Sequence, residues 1–200
     1  PLNAIIGFSE VLKSELLGPH TVPQYKEYAG DIHASGQHLL NLINELLDLS
    51  RIEAGRYDLN EEAVSLGDIA DDCRRMLEIR ARAKSIDLVF TCEDALPKLW
   101  GDERAVRQVA LNLLSNAIKF TPQSGRVELS VGRSKDGGQF LKVKDNGPGI
   151  PEEEIETVLS SFGQGTLAQK TAEQGAGLGL PIVQKIMDLH QGRFDLFSKL

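Results

Sequence analysis

Asn112 and Asn116 stand one helical turn apart in NLLSNAIKF, residues 112–120, and share a face with Lys119, while Leu113, Leu114 and Ile118 fall on the opposite side. An asparagine carbonyl is a neutral, hard oxygen donor suited to Mg2+, which keeps several waters and takes phosphate oxygens for the rest, and a lysine ammonium balances the remaining charge. Phe120 adds a flat apolar wall for a base or a ribose. A second block, DNGPGIP at residues 145–151, places Asp145 where a carboxylate can accept the exocyclic amine of adenine; guanine would offer it O6, acceptor against acceptor. Gly147 and Gly149 remove the β-carbons that would hold the backbone away from a ring. In the third block, GAGLGL at residues 175–180, glycines lead into the apolar helical pattern of Ile182, Val183, Ile186, Met187 and Leu189. Unpaired N–H groups there, on Gly177, Leu178 and Gly179, suit phosphates, and Gly175 opens the block. It is not a P-loop, because no lysine and hydroxyl follow the last glycine. Taken alone, the first block has the plainer reading of a solvated helix face and the second that of a turn with a satisfied aspartate, and any one block would be weak evidence. All three in this order read as a pocket for a purine triphosphate.

Two kinds of periodicity must position these blocks. Over residues 2–17 the positions Leu2, Ile5, Ile6, Leu12 and Leu16 predict one apolar helical face, stopped at Gly18 and Pro19. A second helix begins near Gln24 and carries Ile32, Leu39 and Leu46 at heptad spacing, with Leu42 and Leu49 as companions, ending at Ala54 and Gly55. Leu40, Ile43 and Leu47 widen this seam beyond what one partner covers, so two copies of the hairpin would form a four-helix bundle. The other arrangement is a hairpin packed on its own downstream domain. Beyond Gly55 the pattern predicts a strand at 57–64, a helix at 66–83, a strand at 86–91 and a helix at 102–120. Strands at 126–133 and 139–144, a short helix at 152–159, a helix at 179–190 and a last strand from Gly192 follow. Hairpin strands with helices collected to one side predict an α+β sandwich, with the boundary near residue 56.

The net charge of −7 and pI near 5.2 argue against nucleic acid as a partner, and 41% hydrophobic residues suffice for an ordinary core. Cys73 and Cys92 form neither a disulfide framework nor a metal motif and read as reduced thiols. No apolar run approaches the roughly twenty residues that span a bilayer. A cytoplasmic protein is expected, with any membrane attachment through segments outside this chain. The polar GQGTLAQKTAEQ, residues 163–174, reads as a mobile lid or a plain surface loop.

These blocks, preceded by a hairpin ending in RIEAG, resemble the sensor histidine kinases of two-component systems. The three correspond to that family's N, G1 and G2 boxes, SSFGQG around Phe162 is similar to its F box, and PLNAIIGFSE is similar to the tail of its phosphoacceptor motif. The resemblance covers essentially the whole chain. It implies a dimerising, phosphotransferring hairpin over 1–56, truncated at its N-terminus, and a GHKL or Bergerat ATP-binding catalytic domain over 57–200, truncated at its C-terminus. It further implies a homodimer through the hairpin, a response-regulator receiver domain as partner, and ATP and Mg2+ as cofactors. Asn116 would be the Mg2+ ligand, Lys119 and Phe120 would lie at the nucleotide, Asp145 on adenine and Ile150 at the border of the base. Asn112, Gly147, Gly149, Phe162, Gly175, Gly177, Leu178 and Gly179 would complete the ATP site. The accepting histidine is expected a few residues ahead of Pro1, outside the chain; His20, His33, His38 and His190 read as structural or surface residues. Leu159 stands where the family's F box often has a phenylalanine.

ATP-hydrolysing proteins with this pocket place a glutamate one turn before the metal-binding asparagine, where this chain has Asn112. An amide cannot take a proton from water, so transfer to histidine, and then to an aspartate of a response regulator, is the leading expectation. A nucleotide-binding scaffold or pseudokinase, and an ATPase of this fold, are the alternatives.

Overall fold

A computed structural model describes residues 1–166 and 176–200, which divide into two compact units, 1–54 and 55–200. The first unit is an antiparallel pair, α1 (Leu2–Lys13) and α2 (Gln24–Glu53). Small and polar residues are buried along their seam, Ala29, His33 and Gly36 of α2 and Ser9 of α1, and α2 also buries Leu49 and Ile52 towards its C-terminal end. A β-carbon on Gly36 would come within 2.9 Å of Ile6 Cγ1, so this glycine sets how closely the helices approach. His33 Nε2 lies 3.1 Å from Glu10 Oε2, and its Nδ1 lies 3.2 Å from the Ile6 carbonyl. Outside the seam, Ile5, Phe8 and Leu12 of α1 and Ile32, Leu39 and Leu46 of α2 stay exposed. The apolar stripe of α1 is therefore split, with Leu2 and Ile6 turned more inward than Ile5 and Leu12.

The first helix ends four residues before Leu17, although Leu16 continues the spacing. Glu15 adopts φ +52°, which breaks the helix, and its carboxylate then accepts from the His20 N–H and from Lys26 Nζ at 2.7 Å. The lysine contact, followed by the His20 N–H, holds the Glu15 carboxyl below its ordinary pKa.

The second unit contains β1 (Glu62–Val64), α3 (Leu66–Ala83), β2 (Asp87–Cys92), β3 (Leu99–Gly101), α4 (Glu103–Phe120), β4 (Arg126–Arg133) and β5 (Gln139–Asp145). A 3-10 turn at Glu152–Glu154 leads into α5 (Ile155–Leu159), and α6 (Gly179–Leu189) follows. One sheet has the order β2-β4-β5, with β2 parallel and β5 antiparallel to β4; β1 and β3 form a separate antiparallel pair. Alternation turns Val127, Leu129 and Val131 of β4 into the core, where Ala70, Cys73 and Leu77 of α3 and Leu114 and Ile118 of α4 meet them. Helices packed on a mixed sheet make the expected α+β sandwich.

Residues 193–200 do not form the expected last strand. Phe194 and Leu196 alternate as a strand would, but a strand exists only through its ladder, and what binds this segment to residue 150 is a side chain: the Ile150 N–H donates to Ser198 Oγ at 2.7 Å. Phe197 is left 89% exposed. The β3 strand was not anticipated, since three residues are too few to show a period.

Candidate functional site

Helix α4 is the rail on which the separated blocks meet. Asp102 caps its N-terminus through Oδ1, accepting from the N–H groups of Arg104 at 2.9 Å and Ala105 at 3.1 Å, while Oδ2 accepts from the Asn60 N–H at 2.8 Å. Burial pushes this carboxyl up, but the three backbone donors and Arg104 outweigh it and hold the pKa below the ordinary aspartate value. The Asp102 N–H in turn donates to His190 Nε2 at 3.1 Å, so that ring carries its proton on Nδ1, which donates to the Ile186 carbonyl. At the other end Lys84 Nζ donates to the carbonyls of Ile118, at 3.2 Å, and Lys119, at 2.7 Å.

Between these ends the apolar side of α4 is sealed, with Leu114 and Ile118 buried, and its other side carries Asn112, Asn116 and Phe120 on successive turns, each half-buried. Asn112 Nδ2 donates to the Gly179 carbonyl at 3.2 Å. A β-carbon on Gly179 would lie 3.5 Å from Asn116 Nδ2, so the glycine-rich start of α6 faces both amides at close range. Leu178, the residue before α6, is buried and anchors that start.

The aspartate block reaches the same helix at its C-terminal end. Asp145 Oδ1 accepts from the Gly147 N–H at 2.9 Å, closing the turn, and the side chain remains exposed. A β-carbon on Gly147 would come within 3.2 Å of the Phe120 carbonyl, so this backbone passes directly against the end of α4. Gly149, at φ +77°, leaves room for the Lys199 carbonyl, and Ile150 is half-buried beside it. Lys119 Nζ lies 4.9 Å from the centre of the Phe120 ring.

Phe162 has φ +63° and is 60% exposed; its N–H donates to the Gly177 carbonyl at 3.1 Å. Gly177, at φ +70°, packs so tightly on the Gly163 carbonyl that a β-carbon would come within 2.6 Å of it. Gly175, and the part of the expected lid beyond Thr166, lie outside the described residues.

Asn112, Asn116 and Gly179 thus form one cluster, Phe120, Asp145 and Gly147 a second, and Phe162 and Gly177 a third, with α4 common to the first two. Neutral amide oxygens beside a glycine-lined helix start, where no side chain intervenes, fit a hydrated Mg2+ carrying phosphate oxygens. The sequence reading missed Lys84 and Thr121. Lys84 reaches α4 from 34 residues away and has no local signature. Thr121 follows Phe120, is buried, and its Oγ1 has no hydrogen-bond partner among the described residues. Cys73 is a buried free thiol whose pKa burial raises. Among the described residues no helix is long and apolar enough to cross a membrane.

Residues 101–200 match the family described as histidine kinase-, DNA gyrase B-, and HSP90-like ATPase, and residues 1–55 match the His Kinase A (phospho-acceptor) domain. The Non-motile and phage-resistance protein of Caulobacter vibrioides is 43% identical over 201 residues, covering 99% of this chain and 24% of that protein. The cell-division control histidine kinase PdhS of Brucella abortus is 38% identical over 206 residues, covering 99% of this chain and 20% of PdhS. The chain therefore spans a quarter or less of these relatives. The structure of full-length ShkA in complex with AMPPNP superposes with a TM-score of 0.75 at 29% identity, over 94% of this chain and 38% of that one.

Proposed function

The chain belongs to the sensor histidine kinases, with a phospho-acceptor hairpin followed by an ATP-binding domain of the GHKL type, and from that premise we propose that it is a catalytic core binding Mg-ATP and moving the γ-phosphoryl to a histidine. The acceptor lies ahead of Pro1, and the phosphoryl passes from it to an aspartate of a response-regulator receiver domain. The core works in the cytoplasm as a homodimer through the hairpin.

One observation carries the reading: Asn112 Nδ2 donates to the Gly179 carbonyl with Asn116 alongside, which joins the amide block to the glycine-rich helix start in one small surface. On it, the N–H groups of Gly177, Leu178 and Gly179 hold the phosphates. Asn116, with Asn112 beside it, offers amide oxygen to Mg2+, which when bound supplies positive charge against the triphosphate. Asp145 accepts the adenine amine, Gly147 and Gly149 admit the ring, and Ile150 and Phe120 border it. Lys119 lies at the phosphate side, and Phe162 closes the edge next to Gly177.

Asn112 decides between transfer and hydrolysis. Its NH2 group is engaged by Gly179, and an amide has no basic lone pair to accept a proton from water. A neutral imidazole needs no such base: its nitrogen attacks phosphorus, the bond to ADP breaks, and the ring gives up its proton afterwards.

In protein extended upstream to include the acceptor, Asn116→Ala is expected to reduce autophosphorylation from radiolabelled ATP by about a hundredfold or more. Undiminished labelling would remove Asn116 from the metal site. Label found on a residue other than histidine would remove the kinase reading itself.

A further inference from the structure

Glu154 lies outside all three blocks, yet it joins two of them. Its own N–H donates to the Pro151 carbonyl at 2.9 Å, which fixes its backbone to the end of the Asp145 turn. Its carboxylate spans to the other side: Oε1 accepts from Thr166 Oγ1 at 2.7 Å and Oε2 from the Thr166 N–H at 3.0 Å. Gly165 is buried against it, and a β-carbon there would come within 2.6 Å of Oε2. The stretch from Phe162 to Thr166 is therefore held at both ends, by Glu154 at Thr166 and by the Gly177 carbonyl at Phe162. Between them Gly163 donates to the Ser160 carbonyl at 2.9 Å and packs against the Thr157 carbonyl too closely for any side chain.

We infer that Glu154 is a positioning residue for nucleotide binding, a clamp that sets the loop reading the base and the loop holding the phosphates at a fixed separation. This rests on the nucleotide reading of the site. Glu154 touches neither Asp145 nor Gly177; it acts through Thr166 and the Phe162 turn. Without the carboxylate the turn would keep its tie to Gly177 but lose its tie to residue 151, and ordering it would fall to the nucleotide, at a cost in affinity. Two hydrogen bonds to one carboxylate, partly open to water, correspond to about a five- to tenfold change in dissociation constant. The clamp works by hydrogen bonding: an amide in place of the carboxylate still accepts from the Thr166 N–H, and its NH2 can donate to Oγ1.

The test is a calorimetric titration of the full-length protein with AMPPNP and Mg2+, alongside the thermal midpoint without nucleotide. Glu154→Ala should weaken binding about five- to tenfold with the apo midpoint little changed, Glu154→Gln should restore near-wild-type affinity, and Thr166→Ala, at an exposed position, should weaken it about two- to threefold. Thr166→Ala decides the matter alone if Glu154→Ala does not fold. Affinity unaffected by either alanine, or a glutamine variant as weak as the alanine one, overturns the clamp. Wild-type protein that takes up no AMPPNP overturns the nucleotide reading and the clamp with it, whereas normal wild-type binding and an indifferent Glu154→Ala overturn the clamp alone.

Discussion

Asp102 is the side chain to which three backbone N–H groups from two stretches of the chain donate, and its ionisation should be visible in the stability of the second unit. Its folded pKa is lowered, so its contribution is whole above the ordinary aspartate value near 3.9 and disappears as pH falls through the depressed folded value. Asp102→Ala should cost about 2 kcal/mol at neutral pH, from a lost helix cap and an orphaned Asn60 N–H, and the deficit should shrink below about pH 4. Urea unfolding of the two proteins across pH 3 to 7, with a deficit that does not shrink in acid, would show that the carboxylate charge is not what matters. Gly177 allows another single-residue test. Its φ of +70° and its contact with Gly163 leave no place for a methyl, so Gly177→Ala should lose about 2 kcal/mol, checked by thermal denaturation.

At the scale of elements, legibility in the sequence followed the range of the interaction. Helix α4 was readable because its apolar period and its amide face are both local, and the structure brings Asn112 and Asn116 against Gly179, a partner that only the types of those residues hinted at. Residues 193–200 were misread for the complementary reason: alternation is local, whereas a strand needs a neighbour to pair with. Lys84, Thr121 and Glu154 escaped notice because their roles depend on partners brought near only by the fold. The hairpin shows a further limit of pattern reading. Its seam runs through Ser9, Ala29, His33 and Gly36 with Ile6 against them, while Ile32, Leu39 and Leu46 of the heptad row stay exposed and Leu49 of the companion row is buried. Close approach at Gly36 predicts that Gly36→Val forces Ile6 aside and costs about 1–3 kcal/mol of hairpin stability, measurable as a loss of helical circular dichroism on heating. An unchanged transition would mean that the helices have room to separate.

For the whole molecule, the exposed row of Ile32, Leu39 and Leu46 with Ile5 and Leu12 is more apolar surface than a solitary hairpin would keep in water. Homodimerisation through this face predicts that Leu39→Asp together with Leu46→Asp converts the protein to a monomer in sedimentation experiments at micromolar concentration; a wild type already monomeric there would exclude the bundle. Overall charge sets a second problem, since a chain of net −7 is proposed to attract a triphosphate. The end of α4 sharpens it, because a helix presents about half a negative charge at its C-terminus, here beside Lys119 and Phe120. Lys84 answers that field. Its ammonium, placed on the carbonyls of Ile118 and Lys119, offsets the negative pole that would otherwise repel an incoming polyanion. A lysine outside the three binding blocks thereby shapes the electrostatic potential at the end of α4, and the strength of nucleotide attraction at low salt should depend on it.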